Sequence, residues 1–454
     1  MKQKTFPKRL SEWLQNFLRN PWASGAVLLL FVVVAMLLAN LPATKHIYHQ
    51  ILNTELSIGV GKLWHFSINI EKFINDGLMV VFFFVVGLEI KHEIKEGQLS
   101  SPRKAILPVV AAMGGMLMPA LIYYLFNREG QYAIGWGIPT ATDIAFAIAI
   151  MSMLGKRVPV SLKVFLTALA IADDLGAIVV IALFYGGQLD WSLIAIIGLM
   201  IVMFVLFNKW GFYQVRFYLI PAIVMWFLFY NSGVHATLAG VAMAMLIPYR
   251  PHYSKDEFLG RQRKCIEEFE YYERKDDEAV RIGHQYHALH TLRRTANYSM
   301  GMVQRMEHLL SPWVNFIIMP IFALANAGVE FKSLDAFNIF DTTMGWGIFL
   351  GLLLGKPLGI FTASWLAIKT GLGEKPAGAS WKMLFAVAVL GGIGFTMSIF
   401  IDTLAFEGHT ALIDNGKIAI LMASVAASVL GMILINVMYK LDQKKTKITF
   451  EVKK

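Results

Sequence analysis

Apolar residues fall into runs of about twenty along this chain, and charged connections separate the runs. A helix of that length crosses roughly 30 Å of hydrocarbon, because it rises about 1.5 Å per residue. The pattern predicts an all-α polytopic membrane protein with twelve transmembrane helices. We place the spans at residues 22–41, 72–94, 104–126, 133–153, 159–185, 190–208, 215–231, 234–248, 312–328, 345–368, 381–404 and 411–439.

The spans divide the chain into four parts. Residues 1–248 carry spans 1–8, residues 249–305 form a charged insert, residues 306–440 carry spans 9–12, and residues 441–454 form a tail. The insert mixes both charge signs with aromatic residues, which predicts solvated helices rather than disorder. The basic stretch Met1–Pro21 precedes the first span without a convincing cleavage site, so a retained span is favoured over a signal peptide.

The connection 42–70 contains two short β-prone pieces. Lys45–Leu52 and Glu55–Lys62 flank the pair Asn53–Thr54. β-prone runs around a short polar turn indicate a hairpin. We therefore expect a short external β-hairpin here, suited to an oligomer contact.

Three histidines of the insert, His284, His287 and His290, are spaced by three residues. Such a set could bind a metal ion, but its members fan around a helix and no cysteine assists them. A solvent-facing helix is the favoured interpretation.

Composition and charge agree with a membrane protein. Of the 454 residues 56% are hydrophobic and only 16% are charged, whereas soluble proteins carry about a quarter charged residues. The formal charge of +10 could indicate a nucleic-acid partner, but Lys and Arg lie mostly in every second connection. This bias predicts instead that both termini are cytoplasmic. The single cysteine, Cys265, excludes an internal disulfide.

Two neighbouring acids, Asp173 and Asp174, lie near the middle of the fifth span. An ionised side chain at the centre of a bilayer costs several kcal/mol, so such residues usually mark an ion pathway. Adjacent helical positions differ by about 100°, so one carboxylate can face a counter-charge while the other faces a cavity. A role in function is favoured over two buried hydrogen-bonding groups.

Two other ionisable residues accompany apparent breaks in the spans. Asp143 follows Pro139 in the fourth span, and Lys356 lies near the centre of the tenth. Glycines interrupt the eleventh span within Gly391–Phe400, although close helix packing could also explain them. A broken helix leaves partial charges in mid-membrane, which an acid and a base can offset. Lys356 is open to two roles, counter-ion and proton carrier, with the first somewhat favoured.

The central charges predict cation exchange. Three acids, Asp143, Asp173 and Asp174, against the single base Lys356 leave a formal charge of −2. One Na⁺ would neutralise this charge incompletely, and two protons would neutralise it fully. Competition of Na⁺ and H⁺ for one site is the minimum requirement for an exchanger, and unequal numbers would make the exchange electrogenic.

These residues resemble the NhaA-type sodium/proton antiporters of bacteria, a family whose motifs recur here in order and at membrane-compatible spacing. The matching stretches are Ile74–Ile94, Pro139–Ala147, Ala168–Ile178, Ser232–Gly240, Phe322–Val329, Gly355–Ile360 and Gly392–Ile401. The resemblance implies inverted repeats with spans 4 and 11 unwound and crossing, an arrangement of which this family is itself a known example. It further implies Na⁺ or Li⁺ and H⁺ as substrates, no cofactor, the bacterial inner membrane, and a homodimer formed through the external hairpin.

The resemblance assigns roles at the centre of the membrane. Asp174 is expected to be the main carboxylate for cation and proton, with Asp173 beside it and paired with Lys356. Thr142 and Asp143 are expected to belong to the crossing.

The resemblance also implies a pH-responsive region. The residues concerned are Asp76, Glu89 and Glu93 on the second span, His235, Glu307 and His308. Glu89 is expected near a cytoplasmic ion funnel with Glu307 opposite, and His235 is open between a pH-modulating and a packing role. The chain departs from the family in its long segment 250–305 and in Ser311, where a second histidine is expected, which puts the pH response in doubt.

Other functions compete with sodium/proton exchange. A cation channel, a K⁺/H⁺ exchanger on the same site and a purely structural membrane scaffold remain alternatives. An intramembrane aspartyl protease also uses two membrane acids, but on different helices and with one in a GxGD motif. Here Asp173 and Asp174 are neighbours, and Phe395 follows the glycines.

Overall fold

A computed structural model describes residues 17, 20, 22–60, 64–212, 214–273, 278–330 and 341–452. Most of the N-terminal segment before the first span therefore lies outside the described residues. The helices are α1 Ala23–Asn40, α2 Lys45–Asn53, α3 Ile70–Lys95, α4 Pro102–Phe126, α5 Ile144–Met153, α6 Val160–Phe184, α7 Trp191–Lys209, α8 Arg216–Asn231, α9 Leu238–Leu246, α10 Lys255–Glu273, α11 Glu278–Ser299, α12 Met302–Asn326, α13 Thr343–Lys369, α14 Trp381–Gly391, α15 Phe395–Ala405 and α16 Thr410–Val452.

The apolar helices confirm a polytopic helical membrane protein. The described residues contain nine helices long and apolar enough to cross a membrane, or ten if the bent pair α14–α15 is counted as one span. Leucines such as Leu117, Leu183 and Leu199 are 67–71% exposed, as side chains facing lipid must be. The predicted seventh and eighth spans contain only the shorter helices α8 and α9, so the number twelve stays a prediction.

A hairpin is present within residues 42–70, but the first predicted strand, Lys45–Leu52, was wrong. Strand β1 (Glu55–Val60) pairs antiparallel with β2 (Trp64–Asn69), with Glu55 opposite Asn69, whereas the segment Lys45–Asn53 is the helix α2. Apolar residues recur in α2 at a spacing of four, which suits a helix better than a strand. Tyr48 anchors this helix, because its hydroxyl donates to the Leu324 carbonyl at 2.7 Å.

The charged insert folds into two helices, α10 and α11, that pack against each other. This confirms the solvated helices predicted from composition. Cys265 is buried between exposed positions of α10. Of the three histidines, His284 stacks on Tyr272 at 3.8 Å between ring centroids, and His287 and His290 are exposed.

One compact unit holds the predicted central site. It comprises the described parts of residues 1–79, 93–186 and 313–454. Within it, α13 packs along α4, and a side chain at Gly359 would overlap the backbone of Gly114. The missing side chains therefore allow the two helices to approach closely.

A second compact unit comprises the described parts of residues 80–92 and 187–312. Its core is aromatic and aliphatic, with Phe204 stacked on Tyr218 at 5.8 Å between ring centroids and Val303 fully buried. The predicted residues Glu89, His235, Glu307 and His308 belong to this unit.

Candidate ion-binding site

The fourth span is broken where the sequence predicts. A 3₁₀ segment, Ala133–Thr140, ends at an extended stretch, and α5 begins at Ile144. Pro139 ends the regular hydrogen bonding because it has no N–H to donate. Asp143 caps α5, and its carboxylate accepts from the Phe146 amide at 2.9 Å.

The eleventh span is broken too. Helix α14 ends at Gly391, α15 begins at Phe395, and their axes differ by 44°. Phe395 has a φ of 22°, a conformation that non-glycine residues seldom adopt. A regular α-helix contains no residue with this φ, so the helix is interrupted at Phe395.

The two breaks contact each other through their own backbone groups. The Asp143 amide donates to the Ile393 carbonyl at 2.7 Å, and the Thr142 hydroxyl donates to the Gly391 carbonyl at 2.9 Å. In the other direction, the Thr396 amide donates to the Asp143 carboxylate at 3.2 Å, and the Thr396 hydroxyl donates to the same oxygen. Asp143 thus lies at the N-terminal ends of α5 and α15, where the helix dipoles favour negative charge.

Lys356 lies at a C-terminal helix end, where the helix dipole favours positive charge. Its ammonium is fully buried and donates to the carbonyl of Thr140, the last residue of the 3₁₀ segment. The same nitrogen lies 2.6 Å from an Asp173 carboxylate oxygen. A π-helical turn, Gly351–Gly355, directly precedes Lys356 in α13, and turns of this kind are frequent at functional sites.

Asp174 completes the central cluster. It is 1% exposed, as is Asp173, and it acts electrostatically on Lys356. The cluster contains one lysine and two buried acids, so it has fewer positive than negative charges when all three are ionised. The lysine donates directly to Asp173. Within the described ranges, no group of three or more His, Cys, Asp or Glu side chains could hold a metal ion as a resident cofactor.

Comparison with known proteins decides the family. A family model described as Na⁺/H⁺ antiporter 1 matches residues 15–435. The chain belongs to this antiporter family. The resemblance inferred from its motifs is therefore confirmed.

Several curated members of the family are similar over nearly their whole length. A protein of Oleidesulfovibrio alaskensis named Na(+)/H(+) antiporter NhaA is 45% identical over 418 residues, which are 92% of each chain. Its namesake from Sulfurimonas denitrificans is 42% identical over 96% of this chain and 98% of its own. That from Acidithiobacillus ferrooxidans is 42% identical over 95% and 98%.

The residues that the family resemblance placed in a pH-responsive region lie at several locations. Glu307 lies 3.1 Å from the His92 ring, and this histidine comes three residues after Glu89 on α3. His308 is exposed, whereas Glu89 is half-buried. The contact with His92 was missed, although the motif around Glu89 includes it.

Each of the remaining three residues of that set has its own local environment. Glu93 accepts a hydrogen bond from the Gln98 amide at 2.6 Å, and His235 is half-buried just before α9. Asp76 lies in a π-helical turn of α3.

One buried acid escaped the sequence-based interpretation. Asp402 in α15 is fully buried, and Lys417 at the start of α16 is 6% exposed. The sequence does contain a signal for it, because Asp402 is an acid inside the predicted span 381–404.

Proposed function

We propose that this antiporter-family chain exchanges Na⁺ or Li⁺ for H⁺ across the bacterial inner membrane, through a site formed by Asp173 and Asp174. One observation carries the proposal: two neighbouring acids are buried in an apolar helix, and one lysine, Lys356, donates to Asp173. The curated relatives, all named Na(+)/H(+) antiporters, support a transporter rather than an enzyme such as a protease.

The charge of the cluster explains the exchange. A buried carboxylate must be neutralised, because an isolated ion in a low-dielectric interior is unstable. Lys356 balances one of the two acids, so the cluster keeps one net negative charge, which a mobile cation, Na⁺ or H⁺, can neutralise. When Na⁺ displaces Lys356 from Asp173, the Lys356 ammonium releases its proton, and both carboxylates become available to the metal ion. When Na⁺ leaves, Lys356 and Asp174 each take up one proton. Exchange of two protons for one Na⁺ moves one net charge, on which the membrane potential acts by about 2.3 kcal/mol per 100 mV.

The fold supports alternating access through the two breaks. We assign twelve spans with inverted repeats, in which spans 4 and 11 cross at residues 141–143 and 392–394. The hydrogen bonds between the breaks support this assignment. A site between two half-helices can open to either side of the membrane by small movements of those halves.

Three further features belong to the proposal. Both termini face the cytoplasm, as the distribution of Lys and Arg favours. Two chains form a homodimer through β1 and β2. These strands form a two-stranded sheet, and the outer edge of each strand can pair with a strand of the second chain. Glu89, Glu307 and His308, together with Asp76, Glu93 and His235, adjust the rate to pH.

The test uses purified protein in sealed lipid vesicles with a pH-sensitive dye inside. Addition of Na⁺ should drive proton movement with the natural chain and none with Asp174→Asn. Asp190→Asn is the matched control, because Asp190 is exposed and only caps α7. Full proton movement in Asp174→Asn would overturn the site assignment. A sodium current that needs no proton gradient and drives no proton movement would favour a channel instead.

A further inference from the structure

Asp402 differs from the other buried acids in its hydrogen bonding. Asp143 accepts from Thr396 and Phe146, and Asp173 accepts from Lys356. Asp402 is equally buried, yet neither of its carboxylate oxygens has a hydrogen-bond partner among the described residues. An anion buried in this way loses its hydration without compensation.

Lys417 is the buried cation near Asp402. Helix α16 brings Lys417 and Asp414 close enough to act electrostatically on Asp402. Lys417 is 6% exposed, whereas Asp414 is half-buried and can be hydrated. Because the anions of Asp402 and Asp414 repel each other, protonation of the buried acid removes this repulsion.

The nearby hydroxyl groups do not supply a donor. Tyr123 and Tyr185 lie close enough to sense the charge of Asp402. The Tyr123 hydroxyl donates to the Tyr132 carbonyl at 2.7 Å, and the Tyr185 hydroxyl donates to the Ile134 carbonyl at 2.9 Å. Each hydroxyl has a single proton, so these bonds leave none for Asp402.

Two other segments that pack against α15 add no ionisable group. The 3₁₀ segment Ala133–Thr140 and the Met319–Asn326 part of α12 pack against α15, and neither contains an Asp, Glu, His, Lys or Arg. On α16, a side chain at Gly416 would overlap the Asp402 carboxylate. The carboxylate therefore lies directly against the α16 backbone, and position 416 has no room for a side chain that could bind it.

We propose that Asp402 is a second proton-binding site of this protein, separate from the Asp173–Asp174 pair, with Lys417 as its counter-charge. A proton suits the site better than a metal ion, because no group of three or more potential metal-ligating side chains occurs among the described residues. The proton forms an O–H bond to one carboxylate oxygen, and no other bond changes. Its release leaves the carboxylate beside the Lys417 ammonium.

The position of Asp402 connects this site to the central one. Thr396, which donates to Asp143, lies six residues before Asp402 on the same helix. The separation along the axis is about 9 Å. A change of charge at Asp402 therefore acts on the half-helix whose other end holds the central break. Only this effect on transport depends on the proposed function.

The binding of the proton is tested without transport. Infrared difference spectra of the purified full-length protein in lipid are recorded during a pH titration, where a protonated carboxylic acid gives its own band. Asp402→Asn, which resembles the protonated acid in shape, should lose one such band and bind about one proton fewer per chain. Asp414→Asn, as the matched control, should keep the band. Spectra and proton uptake of Asp402→Asn that equal those of the natural chain would overturn the proposal.

A second variant covers the case in which Asp402→Asn does not fold. Lys417→Met leaves the acid in place and removes the cation that stabilises its anion. The band should then persist to higher pH than in the natural chain. A band that titrates at the same pH would contradict the assignment. If vesicles of the natural chain show no sodium-driven proton movement, the proposed function fails, and the infrared titration still decides whether Asp402 binds a proton.

Discussion

The ion pair between Lys356 and Asp173 makes a strong prediction about stability. Lys356→Met removes a fully buried ammonium that lies 2.6 Å from the Asp173 carboxylate and also donates to the Thr140 carbonyl. Loss of one partner of a buried pair leaves the other charge uncompensated, which costs about 3–5 kcal/mol. We therefore expect Lys356→Met to lower the free energy of unfolding by about that amount.

A double-mutant cycle separates this effect from a simple loss of packing. Asp173→Asn combined with Lys356→Met removes both charges, and an orphaned buried amide costs about 1–3 kcal/mol. The double variant should be more stable than the sum of the single changes by about 2 kcal/mol or more. The measurement is denaturant-induced unfolding in detergent micelles, followed by the intrinsic fluorescence of the tryptophans.

The matched control for this cycle is Lys369→Met, at the end of the same helix. Lys369 is exposed, and its ammonium lies 4.6 Å above the Trp365 ring. Its removal should therefore cost no more than about 1 kcal/mol. If the effects of Lys356→Met and Asp173→Asn add within about 0.5 kcal/mol, the two residues are not coupled, and the ion pair does not stabilise the site.

Three other changes test separate parts of the structure. Thr396→Val removes the hydroxyl that donates to Asp143, so it should lower the free energy of unfolding by about 1–3 kcal/mol and slow exchange in vesicles. Thr396→Ser keeps a hydroxyl and should preserve both the stability and the rate. Gly359→Leu should abolish monodisperse protein on size exclusion because its side chain meets the α4 backbone, whereas Gly198→Ala, with open space around it, should not. Replacement of residues 55–69 by a short linker should give monomers by light scattering, and an unchanged dimer would refute the proposed interface.

The sequence predicts the spans and the central acids for physical reasons. Helical spans satisfy their own backbone groups, so hydrophobic length is enough to locate them. Asp173 and Asp174 stand out because acids in an apolar helix are costly. The sequence does not show which of the two acids faces Lys356. That depends on the rotation of α6 about its axis, which tertiary packing sets.

The sequence fails where local preference and context compete. The segment Lys45–Asn53 contains β-prone residues, yet it forms a helix because Tyr48 is buried in contact with α12. Asp402 gives a weak signal because it lies two residues before the end of the predicted span 381–404, where an acid can reach water at the membrane surface. Among the described residues Asp402 has no hydrogen-bond donor, and the nearby tyrosine hydroxyls donate to backbone carbonyls. This arrangement is set by tertiary structure, which no sequence pattern shows.

The breaks determine which charges remain for mobile cations. A continuous helix bonds its own amides and carbonyls and offers none of them in mid-membrane. Here the freed Thr140 carbonyl binds Lys356, and the freed Thr396 amide binds Asp143. Because Lys356 occupies the Thr140 carbonyl, this freed backbone oxygen does not compete with the carboxylates for a metal ion. In the exchange that we propose, the negative charge available to Na⁺ or H⁺ is therefore that of the adjacent acids on α6. They lie on an unbroken helix beside the breaks and would stay in place while the half-helices move.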